Sequence, residues 1–275
     1  MANQEIIIVG AGLAGVCAAW ALNQRGHSVT VLDAHAGPAE ETSYANAGAL
    51  TPSEPEPWNA PGVHWELLRS LPDPHSAMKL RLAPLPGLAF WGLRFLRNST
   101  RRRYEAACRA NFDLARYSRD LTAGARETLG LDYDSLSHGT LKICRDAEAL
   151  ETRAATGEML AGHGLRFEVL DRAATLEREP MLAGIADKLA GAIYYPDDES
   201  GDARRFTIAL AEKAAEAGVN FEWNSHVHSL IDRAGRIAGV RTESEEIEVD
   251  QVVLATGYMS RRLLAPLGLH LPVRP

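Results

Sequence analysis

Residues Ile6 to Gly15, IIIVGAGLAG, constrain this chain more than any other stretch. Four residues of buried-strand type run straight into Gly10-x-Gly12-x-x-Gly15 and then into an apolar helix pattern. That is the order in which a protein holds a dinucleotide pyrophosphate. Gly10 permits the sharp strand-to-helix turn, Gly12 lets backbone approach phosphate with no side chain between, and Gly15 lets the helix lie close on the sheet. A helix N-terminus carries roughly half an elementary charge, and its unpaired amides bind an anion without Lys or Arg. The unit is completed by a helix over Val16 to Arg25, a stop at Gly26, and a strand from Ser28 to Leu32 that ends at Asp33, 18 positions beyond Gly15. An acid at that place accepts both ribose hydroxyls, and its charge repels a 2′-phosphate, which disfavours NADP. The competing reading is a glycine-rich turn that binds nothing; it leaves the strand, the helix and the acid without a common reason.

A chain of 275 residues with 46% hydrophobic content buries about three quarters of its unfolded surface, enough for one large or two interleaved domains. The first apolar run is four residues long and no basic segment precedes it, so neither a signal peptide nor a spanning helix is expected, and a cytoplasmic placement is. Cys17, Cys108 and Cys144 stand far apart with no CxxC or His pairing, which argues against a disulfide framework and against zinc. Charge is uneven: the net value is −7, yet Lys79 to Arg119 holds ten Lys or Arg against two acids, Glu105 and Asp113. Within that stretch Phe90, Trp91, Leu93, Phe95 and Leu96 stand beside Arg94, Arg97 and Arg101 to Arg103. Two readings fit: an interfacial helix over 79–103 resting on anionic lipid, or an amphipathic helix whose apolar side packs in a second domain. The second is the commoner use of such a pattern. Nucleic acid is disfavoured by the acidic total.

After Asp33 the segment GPAEETSYANAGALTPSEPEP is too rich in Gly, Pro, Ser and Asn for regular structure, and a long loop that begins where a ribose should end reads as functional. Short helices are expected at Trp65 to Leu71 and Pro86 to Asn98. A long helix follows at Tyr104 to Leu129, with apolar positions Phe112, Leu114, Ala115, Tyr117 and Leu121. Gly139 to Cys144 reads as a strand, Glu148 to His163 as a helix, and Arg166 to Leu170 as a strand. Asp171 then caps a short helix that stops before Pro180. A strand at Gly191 to Tyr195 ends in a polar turn, and Asp202 caps a helix over Ala203 to Ala217 that Gly218 terminates. From Val219 the period becomes two: VNFEW, HVHSLID, RIAGVRT and EIEVDQVVLATG read as successive strands, with Arg233-Ala234-Gly235 as a tight connection. Val252 to Ala255 should join the parallel sheet, and Thr256-Gly257 should turn beneath a cofactor. His226 and His228 alternate on one strand, and no third ligand accompanies them.

The set IIIVGAGLAGVCAAW, ETSYANAG, GTLKICRD, DDESGDARRFTIALAEKAAEAGV and LATGYMSRRLLAPLGLHLPV resembles FAD-dependent D-amino-acid dehydrogenases of the D-amino-acid oxidase and glycine oxidase group. The resemblance implies an α/β fold: a Rossmann-type FAD-binding domain, with a parallel sheet and a β-meander, interleaved with a mixed α+β substrate domain. It places the first part of the FAD domain at 1–75, most of the substrate or cap domain at 76–195, the second part of the FAD domain at 196–265, and a further substrate-domain segment at 266–275. It also assigns residues. Gly10, Ala11, Gly12, Leu13, Ala14 and Gly15 would hold the FAD pyrophosphate, and Asp33 and Ala34 the adenosine ribose. Thr42, Ser43, Asn46, Ala47 and Gly48 would line the flavin side, Val227 would meet adenine through its backbone, and Ala255, Thr256 and Gly257 would flank the diphosphate and ribityl chain.

In that family the substrate Cα hydrogen leaves as hydride to flavin N5, and the iminium product hydrolyses to a 2-oxo acid and ammonia. Protein supplies alignment and a polar environment. The dehydrogenase branch implies a membrane quinone or another electron acceptor and gives the basic helix a purpose. Family members run roughly half as long again, so the arginine that pairs with the substrate carboxylate is expected beyond Pro275. Arg204, Arg205 and Arg274 are poor stand-ins, and the catalytic side chains are left unassigned. Unpaired sheet edges are expected to favour a partner chain or self-association. Two alternatives stand beside the leading reading: a fragment or subunit that only binds FAD, and an NAD-linked dehydrogenase.

Overall fold

The computed structural model describes residues 3–65 and 85–273. Most of the expected helix at Trp65 to Leu71, together with Lys79, Arg81 and Arg274, lies outside the described residues. Along the chain the first elements are β1 (Glu5–Val9), α1 (Leu13–Asn23), β2 (Ser28–Leu32), β3 (Ala49–Leu50), α2 (Leu85–Asn98) and α3 (Arg101–Leu129). Then come β4 (Thr140–Cys144), α4 (Ala147–Ala161), β5 (Glu168–Asp171), α5 (Arg172–Arg178), β6 (Gly191–Tyr195), β7 (Glu199–Ser200) and α6 (Ala203–Glu216). The last are β8 (Asn220–Glu222), β9 (Ser229–Arg233), β10 (Arg236–Arg241), β11 (Glu246–Glu248), β12 (Gln251–Leu254) and α7 (Ser260–Leu264). Two compact units result: residues 1–49, 124–135 and 201–275 form one, and residues 50–123 and 136–200 the other. The sequence-based division at 75/76, 195/196 and 265/266 therefore differs from the compact one at four places, two of them being residues 196–200, which group with the second unit, and residues 266–275, which group with the first. Residues 50–75 group with the second unit. Residues 124–135 group with the first, because Tyr133 is buried there edge-on to Phe206, with ring centroids 5.1 Å apart.

The first unit is a four-stranded parallel sheet in the order β12-β1-β2-β8, with Ile6 opposite Val29 and Ile8 opposite Val31. A strand buried on both faces needs apolar residues in unbroken succession, and IIIV supplies them. Ile6 and Ile8 face a core that holds Val16 and Ala19 of α1 and Leu210, Ala211 and Ala214 of α6. Ile7 and Val9 face the opposite way, into a core shared with Val227, Val240 and Leu263. That second face is covered by the antiparallel meander β11-β10-β9. Asp202 accepts the Arg205 amide and so starts α6 where the sequence puts its cap. The run EIEVDQVVLATG is two strands: β11 stays antiparallel in the meander, while β12 pairs parallel with β1 from Ile6 opposite Gln251. Residues 269–273 lie in no ladder, and the Val273 carbonyl accepts Arg261 Nη1.

The second unit is built on an antiparallel sheet in the order β4-β6-β5, with Lys142 and Val169 both opposite Ile193. Its core joins Phe112 of α3, Leu160 of α4, Leu165, Ile193 and Tyr195. Asp146 and Asp171 cap α4 and α5 by accepting the Ala149 and Ala174 amides. The apolar side of α2 does not follow the packing that helix statistics favour. Phe90, Trp91, Leu93 and Leu96 are exposed, and on α3 so are Leu114, Tyr117 and Leu121. Phe95 on α2 is partly covered, stacked on Trp91 at 5.1 Å. Among the described residues no helix is long and apolar enough to cross a membrane.

Candidate functional site

The candidate site lies at the carboxyl ends of β1, β2 and β12, wholly inside the first unit. Gly10 leaves β1 at φ +106°, and a Cβ there would stand 2.7 Å from the Ala255 carbonyl oxygen. At Gly15 a Cβ would come 1.8 Å from the Gly10 oxygen, a separation that no side-chain adjustment can relieve. The glycines at these two places are therefore steric requirements of the turn itself. Gly12 is the N-cap of α1 and offers no side-chain acceptor. The first intrahelical bond runs from the Val16 amide to the Gly12 carbonyl, so the amides before it have no partner within the helix. One of them, Leu13, donates to Ser43 Oγ at 3.0 Å. Gly12 lies directly beneath the same hydroxyl, since a Cβ on it would stand 3.3 Å from Ser43 Oγ. Ala14, two residues after Gly12, is exposed.

Asp33 follows β2 and performs two tasks at once. Oδ2 accepts the Ala11 amide at 2.6 Å and Oδ1 accepts the His35 amide at 2.9 Å. A carboxylate has about four acceptor positions, so capacity for a ribose diol remains after both bonds. Ala34 is exposed beside it, and Ala39 donates its amide to the Ala11 carbonyl, which pins the outgoing chain under the glycine turn. Further along, the Gly48 amide donates to Asn46 Oδ1 at 2.8 Å. That Asx-type bond shapes the loop from inside and spends one acceptor of Asn46 on the backbone. Thr42 and Ala47 are exposed around it.

On the third strand the Ala255 amide donates to the Val9 carbonyl, which seats the ATG turn beside the glycine turn. Thr256 Oγ1 lies 2.9 Å from Ser260 Oγ, so its hydroxyl is engaged within the turn. Gly257 takes φ +53°. Val227 differs from expectation in one respect: it precedes β9 in an extended loop outside the ladder. Its side chain is buried in the core, whereas His226 and His228 point outward with ring centroids 4.5 Å apart, and His228 Nε2 lies 3.4 Å from Glu243 Oε1. The expected residues of all three strands and of the 42–48 loop thus belong to one unit, and direct hydrogen bonds tie the glycine turn to both Asp33 and Ser43.

Sequence reasoning missed several supports. Arg204 Cζ sits 4.1 Å above the Tyr44 ring, and its Nη2 donates to Glu40 Oε1 at 2.8 Å. Arg205 pairs with Asp132 and Asp134 and is occupied elsewhere. In the second unit Asp198 is 1% exposed and accepts from the Ser53 amide, Ser53 Oγ and Thr140 Oγ1. Burial pushes its carboxyl above the usual range although those donors pull it down. The polar turn around Asp198 is visible in the sequence, but its burial depends on partners 58 and 145 positions away.

Comparison with known proteins adds the following. The family described as FAD dependent oxidoreductase (DAO) matches residues 5–275. A D-amino acid dehydrogenase of Bradyrhizobium diazoefficiens is 39% identical over 271 residues, and one of Rhizobium johnstonii is 40% identical over 271 residues. Each match covers 98% of this chain but 64% and 65% of the relative, so the chain spans just under two thirds of their length. The crystal structure of glycine oxidase from Geobacillus kaustophilus superposes with a TM-score of 0.65 at 24% identity, over 98% of this chain and 60% of that one. The expected fold, a parallel sheet of the Rossmann type with a mixed second unit, is the fold of these proteins. Between the flavin and nicotinamide alternatives, the family match decides for FAD.

Proposed function

Since the chain belongs to the family of FAD-dependent oxidoreductases, we propose that residues 5–275 hold FAD for the oxidative deamination of D-amino acids, with a 2-oxo acid and ammonia as products. One observation carries this reading: the Leu13 and Ala11 amides of a single glycine turn are held by Ser43 and Asp33, so a phosphate-binding turn, a ribose acid and a flavin-side loop meet at one end of a sheet. The local chemistry fits the cofactor. A neutral, amide-lined cradle with two glycines that admit no Cβ suits a diphosphate, and the carboxylate at the end of β2 suits a ribose diol. FAD, when bound, supplies the hydride acceptor for the substrate Cα–H bond.

What the chain contributes is binding and orientation. In this reading the amides of Gly12, Ala14 and Gly15 face the diphosphate beside the Leu13 amide that Ser43 holds, Asp33 with Ala34 takes the ribose, and the Val227 backbone meets the adenine. Thr42, Ser43, Asn46, Ala47 and Gly48 enclose the flavin side, and Ala255, Thr256 and Gly257 border the diphosphate and ribityl chain. The substrate amine reacts as the neutral lone-pair form, so activity rises with pH as the substrate ammonium deprotonates. The substrate carboxylate needs an arginine, and no residue of this chain is assigned to it. Purified protein should show flavin absorbance, bind FAD in calorimetry and ignore NADH. Dye reduction with D- and L-amino acids tests the substrate class; turnover of the L-series alone would reverse the assignment of chirality.

The electron acceptor in this reading is a membrane quinone, approached from the cytoplasmic side. Support comes from α2, which exposes Phe90, Trp91, Leu93 and Leu96, has Arg94 over the Phe90 ring at 5.8 Å, and leads into Arg101 to Arg103. Aromatic side chains among arginines suit an anionic lipid surface. Sedimentation with vesicles of phosphatidylglycerol should carry the protein down, and phosphatidylcholine vesicles should not. Loss of that difference in wild type, or its survival in Trp91→Asp, would count against the contact. The edges β4 and β5 of the second sheet are the places where self-association or a partner chain would add strands.

A further inference from the structure

We infer that Arg204 is a positioning residue that latches the loop 40–48 to the first turn of α6 and thereby governs how long a cofactor stays beneath that loop. This rests on the reading of the loop as the flavin-side wall. Among the described residues the loop is fastened at five places, one of them Glu41 Oε1 at 3.0 Å from His35 Nε2. Glu40 takes Arg204 Nη2 at 2.8 Å, and Tyr44 lies under the Arg204 guanidinium at 4.1 Å from ring centroid to Cζ. Gly48 gives its carbonyl to the Gly201 amide at 2.8 Å, and Ser43 holds the Leu13 amide at 3.0 Å. Two of the five fastenings pass through one side chain, and that side chain is the second residue of α6.

Gly48 and Gly201 make the hinge end of the latch immovable. At Gly48, φ is +60° and a Cβ would stand 2.2 Å from the Gly201 oxygen; at Gly201 a Cβ would stand 2.5 Å from the Tyr133 ring. Both backbones are thus packed as closely as glycine allows. The Arg204 end differs. Its Nε is shielded from solvent and has no hydrogen-bond partner among the described residues, while Glu40 and Tyr44 are both in contact with water. The gain from a cation over a ring and from a partly exposed ion pair is modest, and an unsatisfied N–H offsets much of it. A fastening near balance opens and closes readily. The backbone end stays fixed while the Arg204 end swings, which is the behaviour of a gate on a tightly held cofactor.

The test uses the full 275-residue chain, Arg204→Ala and Arg204→Lys, with three readouts. In ligand-free protein, Glu-specific protease cleavage at Glu40 and Glu41 should rise about tenfold in R204A, with the thermal midpoint nearly unchanged. The FAD dissociation rate, followed by recovery of flavin fluorescence, should rise by a similar factor. R204K, which keeps a cation over Tyr44, should recover part of both effects. Unchanged cleavage would overturn the latch. Raised cleavage with unchanged FAD release would overturn its role in cofactor retention, as would a fall in midpoint with cleavage spread along the whole chain. Absence of FAD binding by wild type would instead sink the reading of the site, and the retention role with it, while the ligand-free cleavage would still report on the latch.

Discussion

Ser43 Oγ accepts the Leu13 amide at 3.0 Å, so a residue 30 positions downstream supplies the cap that Gly12, the N-cap of α1, cannot. A glycine N-cap suits a helix end that must receive an anion, and the hydroxyl is lent from the loop that closes over it. Ser43→Ala removes this acceptor. By analogy with cap removal it should cost about 1 kcal/mol in urea unfolding, and FAD affinity should fall several-fold because the loop loses its inner fastening. Wild-type stability and affinity together in S43A would show that the bond does nothing for either.

Asp33 joins the glycine turn to the chain after β2 through the Ala11 and His35 amides. Asp33→Ala leaves both donors without their acceptor, which should destabilise by about 2–3 kcal/mol. Asp33→Asn keeps one carbonyl oxygen and should cost about 1 kcal/mol. FAD binding separates structure from recognition: in D33N it should weaken about tenfold, because a neutral amide offers a ribose diol fewer acceptors. Calorimetry with equal affinities for D33N and wild type would remove Asp33 from the ribose site.

Gly15 and Gly26 provide a matched contrast. A Cβ at Gly15 meets the Gly10 oxygen at 1.8 Å, whereas at Gly26, with φ +84°, it meets nothing within 4 Å. Gly15→Ala should therefore force helix and turn apart and yield insoluble or unfolded protein. Gly26→Ala bears only the left-handed backbone penalty, about 1–2 kcal/mol. Circular dichroism of the soluble fractions distinguishes the two, and a well-folded G15A would mean that α1 can stand off the sheet.

The parts of this fold that sequence displays are those decided within a few residues. Gly191 to Tyr195 is a strand with the expected bounds, and Asp171 and Asp202 are caps, because pattern and cap chemistry are local. What stays hidden depends on the partner. The run EIEVDQVVLATG has one alternating pattern, yet Asp250 divides it: Oδ2 accepts the Glu5 amide while the Asp250 amide donates to the Glu5 carbonyl. Residues before it stay in the meander and residues after it join β1. The same holds for the site. Glycines and Asp33 are legible from spacing, but the tie from Ser43 to Leu13, the Arg204 stack and the burial of Asp198 are tertiary meetings that no period encodes. Amphipathicity likewise marks α2 as having an apolar side without saying what covers it.

Asp198 illustrates a carboxyl held against its solvation preference. Burial lifts it above its ordinary value of 3.8 even with Ser53 and Thr140 donating. The folded state thus holds the proton more tightly than the unfolded chain does. Its contribution to stability is fully present below the unfolded value and is lost as pH rises through the folded one. Wild type should therefore gain on Asp198→Asn as pH is lowered from neutral toward about 4. Urea titrations of both proteins across that range check the sign, and a gap that widens in the other direction would mean the three donors outweigh burial.

Cys17 makes the corresponding case at alkaline pH. It sits in α1 among the residues packed on the first core, and burial pushes its thiol from 9.0 up to about 11. Between those values the unfolded chain ionises its thiol and the folded chain keeps the proton, so stability is full below pH 9.0 and is lost as pH approaches 11. A shift of this size is worth about 2–3 kcal/mol at most. Cys17→Ala removes the titration and leaves a small cavity, so at pH 8 it should be the less stable protein by about 1 kcal/mol. At pH 10.5 the order should reverse. Alkylation by iodoacetamide gives a second check: at pH 8.5 the Cys17 thiol of native protein should react far more slowly than the same thiol in urea. Equal rates, or a gap between the two proteins that does not move with pH, would show that the thiol is hydrated and titrates normally.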